Sequence, residues 1–313
     1  MNETQYAAVL LFLVATVGMS CNWLIVLFIF RIKTLKNSFG RLLASQILGE
    51  AVLCSLFALF VAPTMFFHLD FLIPASTIVG HILLICYDIC IYCHLMISLN
   101  RLIAIALPLR LDVFFSTKNV IGIVILCYGV AILPTFYYYV LADCRIYFLI
   151  DDWHFTFTET ADCGVIVWYA DFCKYIAIVV IIVLVDFVAL TRVHSFNKTM
   201  THMNRRDEHR RRMELNFLKQ TCLQAVVFVM ELITYFILPR FFTDRWTIFV
   251  LTTLSWAAVH TADGIITISY NDELQKLICR AVRLIGEFSN TIVPTISHSQ
   301  LNKYSQHSIQ ARY

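Results

Sequence analysis

A chain of 313 residues that is 59% hydrophobic and only 14% charged lies outside the range of soluble globular domains, which are about half apolar and about a quarter charged. Its formal net charge of +3 is small and says little about a nucleic-acid partner, because where the charges sit matters more than their sum; none is expected. The eleven cysteines are scattered mostly through apolar runs, where a cysteine is a small buried hydrophobe, so they imply no disulfide framework.

A membrane-spanning helix needs about 20 apolar residues. Seven such runs occur, at 7–30, 41–62, 77–107, 119–142, 166–190, 216–238 and 246–270. The first is too long for a typical secretory signal peptide and no basic residue precedes it, so it is expected to remain as a span. It carries Asn22. The second run carries Gln46 and Glu50. The third carries Asp88 and ends on SLNRLIAIALPLR, with Asn100 and Arg101 followed by Pro108. On a helical wheel Leu83, Tyr87, Cys90, His94 and Arg101 share one face of it, which is expected to point inward. Pro63, Pro74, Pro108 and Pro239 lie at or near run ends, where helices stop. Pro134 lies inside the fourth run, where neighbouring helices can satisfy the freed carbonyl.

Lysine and arginine crowd one side of this array: four between Arg31 and Arg41, Arg101, Arg110 and Lys118 after the third run, eight from Arg192 to Lys219, and five in the tail. The other side has only Arg145, Arg240 and Arg245. The positive-inside rule then puts the N-terminus outside and the tail in the cytoplasm. Between Cys144 and Cys163, RIYFLIDDWHFTFTE alternates and turns at Asp151-Asp152, as a β-hairpin does. It lies on the outer side, which permits disulfides, so a Cys144–Cys163 bond is expected. Its surplus of acids over Arg145 fits either a lid that favours cationic ligands or a solvated polar loop. THMNRRDEHRRRMELN reads as a basic helical extension of runs five and six that can hold anionic lipid. Residues 271–286 form an amphipathic segment for the membrane surface, with Cys279 as a palmitoylation candidate. Residues 287–313 read as a disordered tail.

The segment Asn100-Arg101-Leu102, with Ala104-Ile105 and Pro108-Leu109, resembles the Asp-Arg-Tyr segment of rhodopsin-like G-protein-coupled receptors. DGIITISYNDEL, residues 263–274, resembles that family's Asn-Pro-x-x-Tyr segment and the start of its eighth helix. Asp263 stands for the asparagine, Gly264 for the proline and Thr267 for the tyrosine, and Asn271 caps the next helix. Asn22 resembles the asparagine of the family's first span. SLNR, NSFGRLLASQILGE and WYADFCK look most like the nematode serpentine chemoreceptors of class x. The resemblance covers roughly residues 7–286. It implies an all-α seven-helix membrane bundle with a short amphipathic eighth helix and a hairpin-like second extracellular loop. The departures are Asn100 in place of the acid, Glu50 and Gln46 in place of the usual span-two aspartate, and no Cys-Trp-x-Pro in span six. Ser76 stands where the family's usual disulfide to span three would be, and Leu83 stands where aminergic receptors carry their aspartate.

The resemblance implies a receptor of the plasma membrane, in a chemosensory setting such as sensory cilia, with an extracellular small-molecule ligand and a heterotrimeric G protein as partners. Arg101 is then a switch residue, with Asn100, Pro108, Asp263 and Thr267 around it and Glu214 as its resting partner; the plain alternative is a snorkelling cation that marks the membrane border. Asp88, Lys174 and Glu231 lie at similar depth, about 10 Å below the outer boundary at about 1.5 Å per residue. Such groups usually face a cavity. A lysine between two acids pairs with one and leaves the other for a ligand, or the pair is purely structural. With Tyr87 and His94 they are the pocket candidates. Asn22, Glu50, His260 and Asp263 form a candidate polar core, either a unit that repacks or a static cluster. CIYCH, residues 90–94, fits a haem-attachment spacing but lies inside a membrane helix. No cofactor, metal or catalysis is expected. The rival readings are a peptide receptor of the same fold and a seven-span ligand-gated channel or transporter.

Overall fold

A computed structural model describes residues 1–199, 205–280 and 283, with the side chains of 194–199 and 205–214 excluded. Among them are seven helical segments long and apolar enough to cross a membrane. Spans one to seven cover Glu3–Arg31, Ser38–Phe67, Asp70–Ala106, Thr117–Leu141, Ala161–Val193, Leu215–Phe241 and Arg245–Ser269. The helices continue past the apolar stretches of spans five and six, to Thr199 and from Arg205. Residues 287–313, read from sequence as a disordered tail, lie outside the described residues.

Span three organises the bundle. It packs on spans two, four, five and six, while span one closes the ring between two and seven. Its most apolar window is 67% buried, against 22% for spans four and five. The inward face read from the wheel is buried throughout. Spans four and five instead expose Leu126, Leu133, Leu184 and Phe187, an apolar surface suited to acyl chains.

Spans two, four, five, six and seven each contain a π-helical stretch, at Phe57–Val61, Phe136–Leu141, Trp168–Cys173, Ile233–Ile237 and Val250–Leu254. In span four it follows Pro134, which lies inside the helix. A proline cannot donate to the preceding turn, so a widened turn is a natural response. All five stretches lie in the half of the bundle nearest the hairpin.

The hairpin consists of β1 (Ile146–Leu149) and β2 (His154–Phe157), antiparallel, with Leu149 opposite His154. Trp153 closes the turn with φ 58°. A disulfide joins Cys144 to Cys163 and staples the hairpin base to span five. The strand settles on span three, where the Phe148 N–H donates to Ser76 Oγ at 3.1 Å. One turn on, Gly80 lets the strand come close: a Cβ there would stand 2.8 Å from Ile146 Cγ2. Trp153 is fully buried, its ring edge-on to Trp246 at 5.1 Å and its carbonyl accepting from Thr253 Oγ1 at 2.8 Å. Asp244 caps span seven through the Thr247 N–H at 2.8 Å, a bond that holds its carboxyl below the usual carboxylate range.

At the other end, Asn271 Oδ1 accepts from the Leu274 N–H at 3.0 Å and starts a helix at 272–280. Leu274 is buried and Lys276, Cys279 and Arg280 are exposed. Short polar residues favour such caps because their side chains replace the missing carbonyl partner.

Candidate functional site

Three groups of polar residues are enclosed by the bundle, one in each half and one between them. In the hairpin half, span three presents Tyr87 and Asp88 on adjacent positions. Tyr87 OH donates to Glu231 Oε2 of span six at 2.6 Å. Lys174 of span five donates to both oxygens of Asp88, at 2.7 and 3.0 Å. The pairing therefore differs from the sequence expectation in one respect. The second acid beside Lys174 is not Glu231 but Asp171, whose Oδ1 lies 4.0 Å away one turn earlier on span five. Glu231 belongs to Tyr87 instead: the tyrosine hydroxyl reaches across to span six, while Lys174 reaches across to Asp88 on span three. Asp171 went unnoticed in the sequence; its signal was a carboxylate three residues before a membrane lysine, on the same helical face.

Aromatic rings enclose this cluster. Tyr87 meets Tyr175, Trp256 and His260 edge-on, at 4.7, 6.3 and 5.7 Å between ring centres. A narrow cavity lies beside them, bounded by Tyr87, Asp171, Glu231, Tyr235, Trp256 and, from the hairpin, Phe157. Its volume is about 20 Å³, room for roughly one water. A wider cleft of about 460 Å³ opens between spans three, four and five, bordered by Asp88, Lys174, Asp171, Tyr92 and Tyr138. Asp171 faces both spaces. His94 lies deeper, against Phe228 at 5.6 Å, and borders neither.

In the other half, Arg101 is 2% exposed. Its guanidinium lies over the Phe39 ring at 3.8 Å and near Phe217 at 5.1 Å, a planar cation against aromatic faces. Asn100, which replaces the family's acid, donates to Ser38 Oγ at 3.0 Å and so ties span three to the start of span two. Pro108 opens a short 3-10 turn just beyond the span. Glu214, the expected partner of Arg101, lies outside the residues whose side chains are described. Thr267 Oγ1 accepts from Gln220 and Gln224 of span six at 3.1 and 3.4 Å; the two glutamines, one turn apart, were not singled out from sequence. A cleft of about 290 Å³ beside Arg101 is lined by Asn100, Ser38, Arg41 and Asp112.

Between the halves, Asn22 Nδ2 donates to the His260 carbonyl at 3.0 Å. Gln46 Nε2 bridges Glu50 Oε1 at 2.9 Å and Asp263 Oδ2 at 3.3 Å. Gly264 leaves room for Asn22, whose Oδ1 a Cβ at that position would strike. The structure thus brings Asn22, Glu50, His260 and Asp263 into one buried cluster, joined by Gln46. Buried Asp186 on span five is a further acid that the sequence reading passed over.

The family described as "Serpentine type 7TM GPCR chemoreceptor Srx" matches residues 12–271. The chain belongs to the Srx family. A relative from Caenorhabditis elegans, serpentine receptor class X 45, is 31% identical over 302 residues, covering 88% of this chain and 82% of its own length. Another from the same organism, serpentine receptor class X-43, is 24% identical, with 95% and 88% covered. The fold is similar to that of squid rhodopsin, with a TM-score of 0.75 at 12% identity over 90% of this chain and 86% of that one. The Srx assignment agrees with the class-x resemblance read from SLNR and the neighbouring motifs. It makes this chain a multi-pass membrane protein of a G-protein-coupled receptor family, which is a receptor rather than an enzyme family.

Proposed function

We propose that this Srx receptor binds an extracellular small molecule at the Tyr87–Glu231 and Asp88–Lys174–Asp171 cluster and activates a heterotrimeric G protein at the Arg101 end. The observation that carries the reading is the Tyr87–Glu231 hydrogen bond, which joins spans three and six next to Asp88, whose pair with Lys174 borders the cleft of about 460 Å³. A ligand that displaces it changes how those two spans pack. It then favours whichever arrangement it binds better, which is the only way a ligand shifts an equilibrium. The hairpin, packed down through Trp153, favours a small molecule over a peptide. Arg101, stacked on Phe39 and Phe217 beside an open cleft, is positioned to release the rings and meet a docked helix. The basic loops then face the cytoplasm of the plasma membrane, as the positive-inside rule requires.

The test is a chemical library applied to cells that express the receptor with a promiscuous Gα. An active compound should lose potency roughly tenfold in Glu231→Gln, about the worth of a charge-assisted hydrogen bond. It should keep binding but lose nucleotide exchange in Arg101→Gln. A ligand-evoked current that persists with G-protein signalling blocked would overturn the reading in favour of a channel.

A further inference from the structure

We propose, resting on the ligand site just described, that the cleft between spans three, four and five opens sideways and takes a lipophilic amine out of the bilayer. Among the described residues, spans four and five each pack on span three but scarcely on one another. The seam between them holds the cleft of about 460 Å³, a size suited to a small molecule. The central cavity of about 20 Å³ has no such room. The hairpin also covers that cavity, with Phe157 on its wall and 5.7 Å from the Tyr139 ring. The seam is therefore the wider way to the Asp88–Lys174–Asp171 cluster.

Depth places the seam beside lipid. Pro134, on its span-four wall, lies at the level of Lys174, about 10 Å below the boundary on the hairpin side at about 1.5 Å per residue. Val165 and Tyr169, on the span-five wall, are exposed. Lys174 itself is 24% exposed, which at that depth only an opening in the helix ring allows. Both walls carry a π-helical stretch, Phe136–Leu141 and Trp168–Cys173, and such widened turns are frequent at functional sites.

The chemistry at the inner end selects a cation. Lys174 is engaged by both oxygens of Asp88. Asp171, only 2% exposed, stands 4.0 Å from Lys174, too far for a hydrogen bond. Its Oδ2 and the Tyr139 hydroxyl, both on the cleft, have no hydrogen-bond partner of ordinary geometry among the described residues. Two carboxylates and one ammonium leave one negative charge uncompensated, which is costly away from water. A second ammonium brings the sum to zero. Its N–H groups can donate to Asp171 Oδ2 and to the Tyr139 oxygen, and Tyr92 and Tyr138 offer ring faces beside it. A carboxylate head would add to the surplus, and an alcohol would leave it. The apolar tail then runs out between Val165 and Tyr169 into the acyl chains. A phospholipid ammonium is held by its phosphate at the headgroup level, too shallow for Asp171, so a single-chain amine is the better occupant.

The test uses the full-length receptor in phosphatidylcholine nanodiscs and a dodecylamine with a diazirine midway along its tail. Irradiation should label the peptides that contain Tyr138 and Tyr169. Dodecylamine should displace the label; dodecanol and dodecanoate should not. From octylamine to dodecylamine, displacement should tighten about fourfold per methylene, the factor that about 0.8 kcal/mol per CH₂ gives. Asp171→Asn should weaken displacement by about tenfold, the worth of a charge-assisted hydrogen bond, and Ala170→Phe, which fills the wall, should abolish labelling. Because the amine leaves by the seam, Ser76→Ala, which loosens the hairpin, should not change its dissociation rate; faster dissociation would place its route past Phe157 and overturn the seam. Equal displacement by dodecanol or dodecanoate would overturn the proposal on the parent chain, with no variant needing to fold. So would displacement of the label on replacing phosphatidylcholine with phosphatidylethanolamine, which would assign the cleft to a lipid headgroup. Selective labelling without nucleotide exchange would uphold the cleft and count against the proposed function. An agonist that depends on Glu231, with amine binding indifferent to Asp171→Asn, would do the reverse.

Discussion

In the hairpin half of the bundle, two buried acids flank one cation and a third pairs with Tyr87, and the helices around them carry π-helical turns. In the Arg101 half, the contacts of Arg101 include two aromatic faces, and two of the joints between spans are neutral: Asn100 to Ser38, and Gln220 and Gln224 to Thr267. The difference is one of strength and reach. A charge pair such as Lys174–Asp88 is directional, and it is expensive to break where water is scarce. A guanidinium over Phe39 and Phe217 keeps its attraction over a range of tilts, and amide–hydroxyl bonds in membranes are worth only about 0.6–2 kcal/mol. On the proposed function, the hairpin half holds one arrangement until a ligand competes for its polar groups. On the proposed function, the neutral joints of the Arg101 half are the ones that give way on activation.

Lys174→Met gives the sharpest break in this comparison. It leaves Asp88 and Asp171 buried without their cation, which is expected to cost about 3–5 kcal/mol. The readouts are thermal unfolding of purified receptor and surface expression. Asp88→Asn added to Lys174→Met should recover more than half of the loss. If the double variant is no more stable than Lys174→Met alone, the pair does not act as a unit.

How far these two halves were legible in the sequence follows from what each contact depends on. Seven spans and the hairpin were legible because length, hydropathy and alternation are local properties; the observed β1 and β2 fall within RIYFLIDDWHFTFTE, around its Asp-Asp turn. Counting along the spans put Asp88, Lys174 and Glu231 at a similar level for the same reason. Their pairing was not legible, since it depends on how far each side chain rises from its own helix. Counting along the spans grouped Lys174 with Glu231, whereas Tyr87 takes Glu231 and Asp171 takes its place. Arg101 stood out by its motif, yet its aromatic seat on Phe39 and Phe217 joins spans two, three and six and has no signature within any one of them. Gln220 and Gln224 gave a faint signal, two amides one turn apart in an apolar run.

Thr267→Val tests the other half. The substitution keeps the shape and removes the hydroxyl that accepts from both glutamines. A stability loss of about 1–2 kcal/mol is expected, smaller than for Lys174→Met. Its signature is functional: with the joint between spans six and seven loosened, basal nucleotide exchange in a reconstituted assay should rise several-fold. An unchanged basal rate would show that the Arg101 half is as tightly set as the hairpin half.

The smallest effect is expected at Ser76, and it separates the hairpin from the bundle beneath it. The disulfide fixes the hairpin base to span five, but contact with span three rests on the Ser76 hydroxyl and on close approach at Gly80. Arg245 holds the far end, donating to the Asp151 carbonyl at 2.8 Å with its guanidinium 4.0 Å from the Trp153 ring centre. With that end and the disulfide intact, Ser76→Ala frees only the Phe148 N–H, a cost of about 1 kcal/mol. Amide exchange across residues 146–149 should then quicken about fivefold, since about 1 kcal/mol is a factor of roughly five. Exchange at Thr253 and the thermal midpoint should barely move. A ligand that must pass Phe157 to reach the cavity should dissociate faster by a similar factor. Gly80→Ala provides the contrast, because its added carbon meets Ile146 and lifts the strand rather than freeing one bond. If Ser76→Ala leaves exchange at Phe148 unchanged, the strand is held by packing at Gly80, and the serine is not the substitute for the missing disulfide to span three.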